Sequence, residues 1–519
     1  MSQNKGEERK QFTSIYYTVS EAIDALGYGS YQLLLSVWLG IVLCSCAIQN
    51  YIIMILPYQL NCYLEGLNET SVFVVKIVMK CSAPMWGYFA DRYGRKPPIV
   101  ITVLVQLLLI LFTINVQDRT SFLIFQLLLA CFESALPIFF ALVVEYSPST
   151  SRVQSVMFLQ IFWFVGQVSV ILCSWLMNDG LFMLDRNGNS DIMMAICIPL
   201  LSIFIITCYW FPDSALFLSK AGKEGEVGGQ MSCVAKLNGK KDVLDQIQIT
   251  NVLRNDENLK DPCSEFFYLA LGKENFYTSV VIWSLWFLNG IAYYGITFST
   301  VAIVEGSDSC YADTVETFGV LAEDLQPCGE INSSDYLYIL LITVAEFPAI
   351  LTGAILIDAI GRKGIYITCT CVYTVCLTPL IISYCEINQT GITVLLFVAR
   401  GASMIWFMTN IIFTLEHYAT KMRCTGIGTG YGFMSLGSLI SFLIAHYVIS
   451  YSITLTAFVY FSVGVFGFLF SIYMPPLEAR RDLSSIGEVI IGESEAISIE
   501  YIPSNAIEIR RKKVGTKRS

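Results

Sequence analysis

Along the chain, long apolar runs alternate with short polar segments, the runs falling near 33–56, 72–90, 98–116, 120–144, 153–177, 191–211, 276–304, 336–357, 365–385, 391–415, 425–450 and 453–474. Each is close to the roughly 20 residues that an α-helix needs to cross about 30 Å of hydrocarbon. Backbone hydrogen bonds cannot be left open in lipid, so runs of this length predict helices, and the short alternating runs of an outer-membrane barrel are absent. The pattern predicts an all-α membrane protein with twelve transmembrane helices.

The polar segments divide the chain. Residues 1–32 form a cytosolic N-terminal segment, 33–211 a first six-helix half, 212–275 a cytosolic linker rich in Gly, Lys, Glu and Asp, 276–474 a second six-helix half, and 475–519 a cytosolic tail. The polar start, MSQNKGEERKQF, offers no removable signal peptide, so the first span is expected to act as the membrane signal. Composition agrees with a membrane chain: of 519 residues, 55% are hydrophobic and only 14% charged, with a mean hydropathy of +0.60.

Basic residues in short loops favour the cytosol. With both ends inside, the cytosolic loops hold Arg92, Arg95, Lys96, Arg152, Arg362, Lys363, Lys421 and Arg423, against Arg119 and Arg186 outside. The glycosylation sequons starting at Asn68, Asn332 and Asn388 all fall in loops assigned outside. The outer loop 305–335 carries eight acidic and no basic residues, and its Cys310 and Cys328 face an oxidising space where a disulfide between them is expected. No Cys or His spacing suggests a metal site, and only two histidines exist in the chain.

The chain repeats itself. DRYGRK at 91–96 follows span two and DAIGRK at 358–363 follows span eight; EYSPSTSR at 145–152 follows span four and EHYATKMR at 416–423 follows span ten. One six-span unit is present twice, as two pseudo-symmetric halves. The motif residues are Gly87, Asp91, Arg92, Gly94, Arg95, Lys96, Glu145 and Arg152 in the first half, and Asp358, Gly361, Arg362, Lys363, Glu416 and Arg423 in the second. Gly94 allows a tight turn and Gly87 a close helix approach, while Asp91 can accept hydrogen bonds from the positive end of a neighbouring helix.

The duplication and the stretch GYFADRYGRK resemble the major facilitator superfamily along nearly the whole chain. Finer matches, EAIDALGYGSYQ at 21–32, PDSALF at 212–217, WFLNGIAYYG at 286–295 and AEFPAIL at 345–351, are similar to its synaptic vesicle 2-related group. The resemblance implies the major facilitator fold, with Asp91 closing against the start of span eleven near Thr425 to hold the cytosolic side shut. It also matches Arg400 to the family's span-ten arginine. The family's acidic span-one positions are Cys46 and Gln49 here, its span-four arginine is Gln126, and its glycine-rich span four carries Glu133.

Ionisable residues inside spans cost roughly 2.5 to 3.5 kcal/mol each at mid-membrane and should pair or face water. Counting helical rise from the cytosolic markers places Lys80, Glu133 and Glu346 about 16 to 18 Å deep, with Arg400 nearer the outer surface at about 24 Å. Lys76 is shallow enough to anchor at the interface. Lys80 with Glu133 reads either as a pair lining a central cavity or as an ion pair joining spans two and four. Glu346 reads either as a proton-coupling carboxyl group or as a hydrogen-bonded structural acid. Asn289, Tyr293 and Tyr294 offer an amide and two phenols, suited to a small ligand or to packing.

GIGTGYG at 426–432 opens a span instead of following a strand, so its small residues read as helix-packing positions and not as a phosphate loop. No catalytic elbow or Walker sequence is present, so no enzyme is expected, and the acidic chain gives no reason for nucleic-acid binding. The function expected is secondary active transport of a small organic solute by a monomer in the lipid bilayer, without cofactor, by alternating access. The alternative is a non-transporting receptor or scaffold on a carrier fold. The membrane is expected to be the plasma membrane or that of an intracellular vesicle.

Overall fold

The computed structural model describes residues 16–17, 19–55, 74, 78, 80–114, 116, 119–178, 189–246, 248–249, 276–309, 333–449 and 451–474, with fragments of the tail at 490–491, 495–498 and 510–511. Asn68, Lys76, Cys310, Cys328 and Asn332 lie outside the described residues. Among the described residues, strand is confined to a two-residue parallel pairing of Tyr16–Tyr17 with Gln248–Ile249 and a short antiparallel sheet within the tail fragments.

The first half contains α1 (Val19–Leu26), α2 (Ser30–Ile55), α3 (Ala83–Tyr93), α4 (Lys96–Thr113), α5 (Arg119–Glu133), α6 (Pro137–Tyr146), α7 (Arg152–Asn178) and α8 (Asn189–Thr207). Three short helices follow, α9 (Ala215–Lys220), α10 (Glu224–Leu237) and α11 (Lys241–Gln246). The second half contains α12 (Phe276–Ser309), α13 (Ser333–Val344), α14 (Glu346–Ile360), α15 (Arg362–Ile382), α16 (Gln389–His417), α17 (Arg423–Leu443) and α18 (Ile453–Ile472). Among the described residues, ten helical stretches are long and apolar enough to cross a membrane, with α5 and α6 forming one and α13 and α14 another. Of the two other expected spans, 72–90 is described in part and ends in α3, and 191–211 corresponds to α8.

Among the described residues, three spans are broken, and each break has a proline behind it. A proline donates no hydrogen bond and clashes with the carbonyl four residues before it. Pro84 follows the turn at Cys81–Ser82, Pro137 follows the turn at Ser134–Leu136 that separates α5 from α6, and Pro348 follows the turn at Ala345 that separates α13 from α14. The first two breaks lie side by side. Ser82 Oγ is 2.8 Å from Ser134 Oγ, and both the Trp86 indole and the Ser134 hydroxyl donate to the Cys131 carbonyl, at 2.7 and 2.6 Å.

Backbones approach closely where α12 crosses α17. A Cβ added at Gly290 would stand 2.2 Å from the Met434 carbonyl oxygen, and one at Gly437 would stand 2.2 Å from that of Phe287. In lipid, where apolar side chains gain nothing by leaving the solvent, such small-residue contacts let van der Waals packing hold helices together. The segment expected as a loose linker is folded at its start. Asn238, which ends α10, donates from Nδ2 to the Gly27 carbonyl and accepts at Oδ1 from the Tyr31 amide, both at 3.1 Å, so α10 is tied to the entrance of α2.

Gly290→Ala is expected to destabilise the purified protein by about 1–3 kcal/mol, seen as a lowered melting temperature. Gly225→Ala, where nothing lies within 4 Å, is expected to be neutral or to stabilise by up to about 1 kcal/mol, because alanine is the better helix former.

Candidate functional site

Polar groups gather at three levels. At the basic end, Gly94 and Gly361 adopt φ of 102° and 81°, which glycine alone adopts without strain, and each turns the chain so that the next residue, an arginine, faces a glutamate. Arg95 donates to Glu145 through Nε at 3.1 Å and Nη2 at 3.0 Å; Arg362 makes the same two bonds to Glu416 at the same two distances. The repeat seen in the sequence is therefore a repeat of one bidentate fork. Arg95 is fully buried and reaches the other half as well, donating to the Thr420 carbonyl at 2.7 Å, while Arg423 crosses back to Glu145 at 3.3 Å.

Asp91 sits at the start of α17. Its carboxylate accepts from the amides of Cys424 and Thr425 at 3.2 and 2.8 Å and from the Thr425 hydroxyl at 2.8 Å, the arrangement that a helix N-terminus offers an anion. Gly87 makes the approach feasible, since a Cβ there would stand 2.2 Å from the Cys424 carbonyl oxygen. The counterpart Asp358 is partly exposed and accepts across the halves from Gln154 Nε2 at 2.8 Å. Lys96 reaches the Tyr209 carbonyl at 3.3 Å, Arg92 is exposed and lies over the rings of Tyr88 and Tyr93, and Arg152 and Lys363 are half-buried in the first turns of α7 and α15.

Deeper in the first half, Lys80 and Glu133 meet at 3.9 Å, each at a proline-linked break, and Lys80 also donates to the Asn50 side chain. Both remain outside the cavity walls described below. The pair bridges the broken spans two and four.

At the opposite level, Glu346 and Arg400 form a buried ion pair at 2.5 Å. The rise-based depths set these two about 6 Å apart along the membrane normal; both counts run through unbroken helix, and the reach of the arginine side chain closes the gap. Tyr293 donates to Glu346 at 2.8 Å and lies with its ring 3.6 Å from the Arg400 guanidinium, while Arg400 also donates to the Tyr293 carbonyl and to Thr297. Groups from the first half complete this centre. Arg400 is 3.3 Å from the Tyr51 hydroxyl; with the Gln167 amide turned so that its oxygen accepts from the Trp163 indole at 2.6 Å, which satisfies both ends of the amide, its nitrogen donates to Glu346 at 2.9 Å. Tyr51, Trp163 and Gln167 went unnoticed in the sequence, although Trp163 and Gln167 stand four apart on one helix face.

Between the two levels lies a narrow cavity. The first half contributes Leu43, Leu136, Phe140, Gln160 and Trp163; the second contributes Tyr293, Tyr294, Phe407, Tyr431 and Met434. Tyr293 and Tyr294 thus face it, whereas Asn289 turns away and donates to the Ser403 carbonyl at 3.0 Å. Asn388 caps α16, accepting from the Gly391 amide at 2.8 Å. Cys385, not singled out from the sequence, is disulfide-bonded, and its partner lies outside the described residues. No group of three or more metal-ligating side chains occurs among the described residues.

Comparison with known proteins adds context. The family model described as Major Facilitator Superfamily matches residues 37–322. Synaptic vesicle 2-related protein of Bos taurus is 26% identical over 462 residues, 88% of this chain and 81% of that one. Organic cation/carnitine transporter 7 of Arabidopsis thaliana is 22% identical over 465 residues, 83% of this chain and 88% of that one. Among solved structures, the proton:xylose symporter XylE bound to 6-bromo-6-deoxy-D-glucose superposes with a TM-score of 0.58 at 13% identity, covering 89% of this chain and 99% of that one. The human organic anion transporter MFSD10 does so with 0.58 at 11% identity, covering 85% and 99%.

Asp91→Ala removes the acceptor for two backbone amides and is expected to loosen the basic end. Cys424, which is 0% exposed, reports this directly: its maleimide labelling, followed by peptide mass spectrometry, should accelerate at least about tenfold, the equivalent of about 1.4 kcal/mol. Arg95→Lys should accelerate it too, because an ammonium cannot reproduce the two-pronged contact.

Proposed function

Because the chain belongs to the major facilitator superfamily, a family of multi-pass membrane transporters and not of enzymes, we propose that it is a secondary active transporter carrying a small organic solute by alternating access. The carrying observation is the cavity lined by both halves, with contacts between the halves at both levels. In this reading the basic end faces the cytosol with both termini, and the opposite end, carrying Cys385 and Asn388, faces the oxidising side of the plasma membrane or of a vesicle. Release of the Asp91 and Arg95 contacts opens the cavity to the cytosol. Release of the Tyr51, Gln167, Glu346 and Arg400 contacts opens it to the other side. The protein works as a monomer and needs no cofactor.

Proton coupling is assigned to Glu346. Neutralising this carboxyl group would weaken its hold on Arg400 and on Gln167 together, so one proton would loosen both an ion pair and a contact between halves. The relatives named for an organic cation and for xylose with protons support transport of an organic solute and leave its identity open.

The test is reconstitution in vesicles with labelled organic cations, anions and sugars, with and without an inward pH gradient. Uptake stimulated by the gradient is expected, and the double variant Glu346→Gln, Arg400→Gln, which removes both charges and so avoids a lone buried one, should lose the stimulation while keeping its monodisperse profile. Gradient-driven uptake by that variant would remove Glu346 from coupling. Ligand binding without movement of any solute would favour the receptor alternative.

A further inference from the structure

The cavity itself carries chemical information that deepens the transport reading and rests on it for the cavity's role. Six of its ten lining residues are aromatic, and none bears a formal charge. The ionised groups nearest in the two halves are already matched to each other, Lys80 with Glu133 and Arg400 with Glu346. An anionic solute would therefore find no counter-ion in the walls and would meet the negative faces of aromatic rings.

Gln160 supplies the second observation. It lies in α7, is 1% exposed, lines the cavity, and its side-chain carbonyl oxygen has no hydrogen-bond partner. A buried acceptor left open is costly, and the cost is relieved by any occupant that presents a donor to it. The narrow space between Trp163, Tyr294, Phe140 and Tyr431 favours a flat ring that stacks or meets edges to faces.

From these observations we infer that the cavity takes a flat aromatic solute that carries an N–H or O–H donor and no anionic group, with Gln160 accepting from that donor. Sugars fail the first condition, being neither flat nor aromatic, and they present more hydroxyls than this mostly aromatic wall can pair. Aromatic carboxylates fail the last.

The inference is tested by equilibrium binding to the full chain in nanodiscs, using indole, 1-methylindole, indole-3-acetate and glucose as probes. Indole is expected to bind about fivefold more tightly than 1-methylindole, which has the same ring without the N–H. Indole-3-acetate and glucose are expected to bind more weakly than either. In Gln160→Leu the two indoles should become equal; the comparison within the unaltered protein stands even if that variant fails to fold. Equal binding of the two indoles to the unaltered protein, tighter binding of indole-3-acetate or glucose, or no binding of any indole would overturn the inference. Binding of indole with no flux in vesicles would keep this assignment and defeat the transport reading. Flux of a sugar or an anion with no indole binding would do the reverse.

Discussion

A charge inside a bilayer must bring its partner with it. Four ionisable groups described within the spans obey that constraint: Lys80 meets Glu133, and Glu346 meets Arg400. The constraint also explains where such groups can sit. Lys80, Glu133 and Glu346 each adjoin a helix break, and each break precedes a proline. A break already exposes backbone polar groups that need partners, so a polar side chain there joins a site that is polar in any case, instead of spoiling an intact apolar helix. The hydroxyls of Ser82 and Ser134 and the indole of Trp86 show this accommodation between the breaks of spans two and four.

The two halves are built from one plan but are not closed equally. Arg95 with Glu145 and Arg362 with Glu416 are the same fork to within the quoted distances. Around the first fork, however, Asp91 and Arg95 are fully buried and bond to the opposite half, whereas Asp358 and Arg362 are partly exposed. Charged contacts count for more where water is excluded. The basic end is accordingly held by the first half's buried motif gripping the start of α17, with Arg423 to Glu145 and Gln154 to Asp358 adding contacts between the halves from the second half's motif.

Much of this was legible beforehand. Apolar runs gave the spans, because hydrocarbon thickness fixes helix length, and DRYGRK with DAIGRK gave the duplication, because the same turn needs the same glycine. That Asp91 could accept from a helix N-terminus followed from helix electrostatics, and that the helix is the one starting near Thr425 followed from the family resemblance. What stayed hidden depended on irregularity or on distance. Glu346 and Arg400 were kept apart by a depth count that follows backbone rise and leaves out the reach of an arginine side chain. Tyr51 and Gln167 carry no charge and gave no reason to look. The fold of α9 to α11 was masked by a polar composition that suits a loose linker equally well, and what orders it is a long-range bond from Asn238 to Gly27.

The face of α7 ties the cavity to the centre above it. Gln160, Trp163 and Gln167 are spaced three and four residues apart, so one stripe of one helix carries all three. Gln160 and Trp163 face the cavity; Trp163 donates to Gln167, and Gln167 donates to Glu346. From the other half, Tyr293 also faces the cavity while donating to Glu346 and lying against Arg400. Anything that occupies the cavity touches two side chains that also hold the Glu346 centre in place. Filling the cavity and closing that level are therefore linked by direct contact, through Trp163 on one side and Tyr293 on the other, and no longer-range signal through the helices is required.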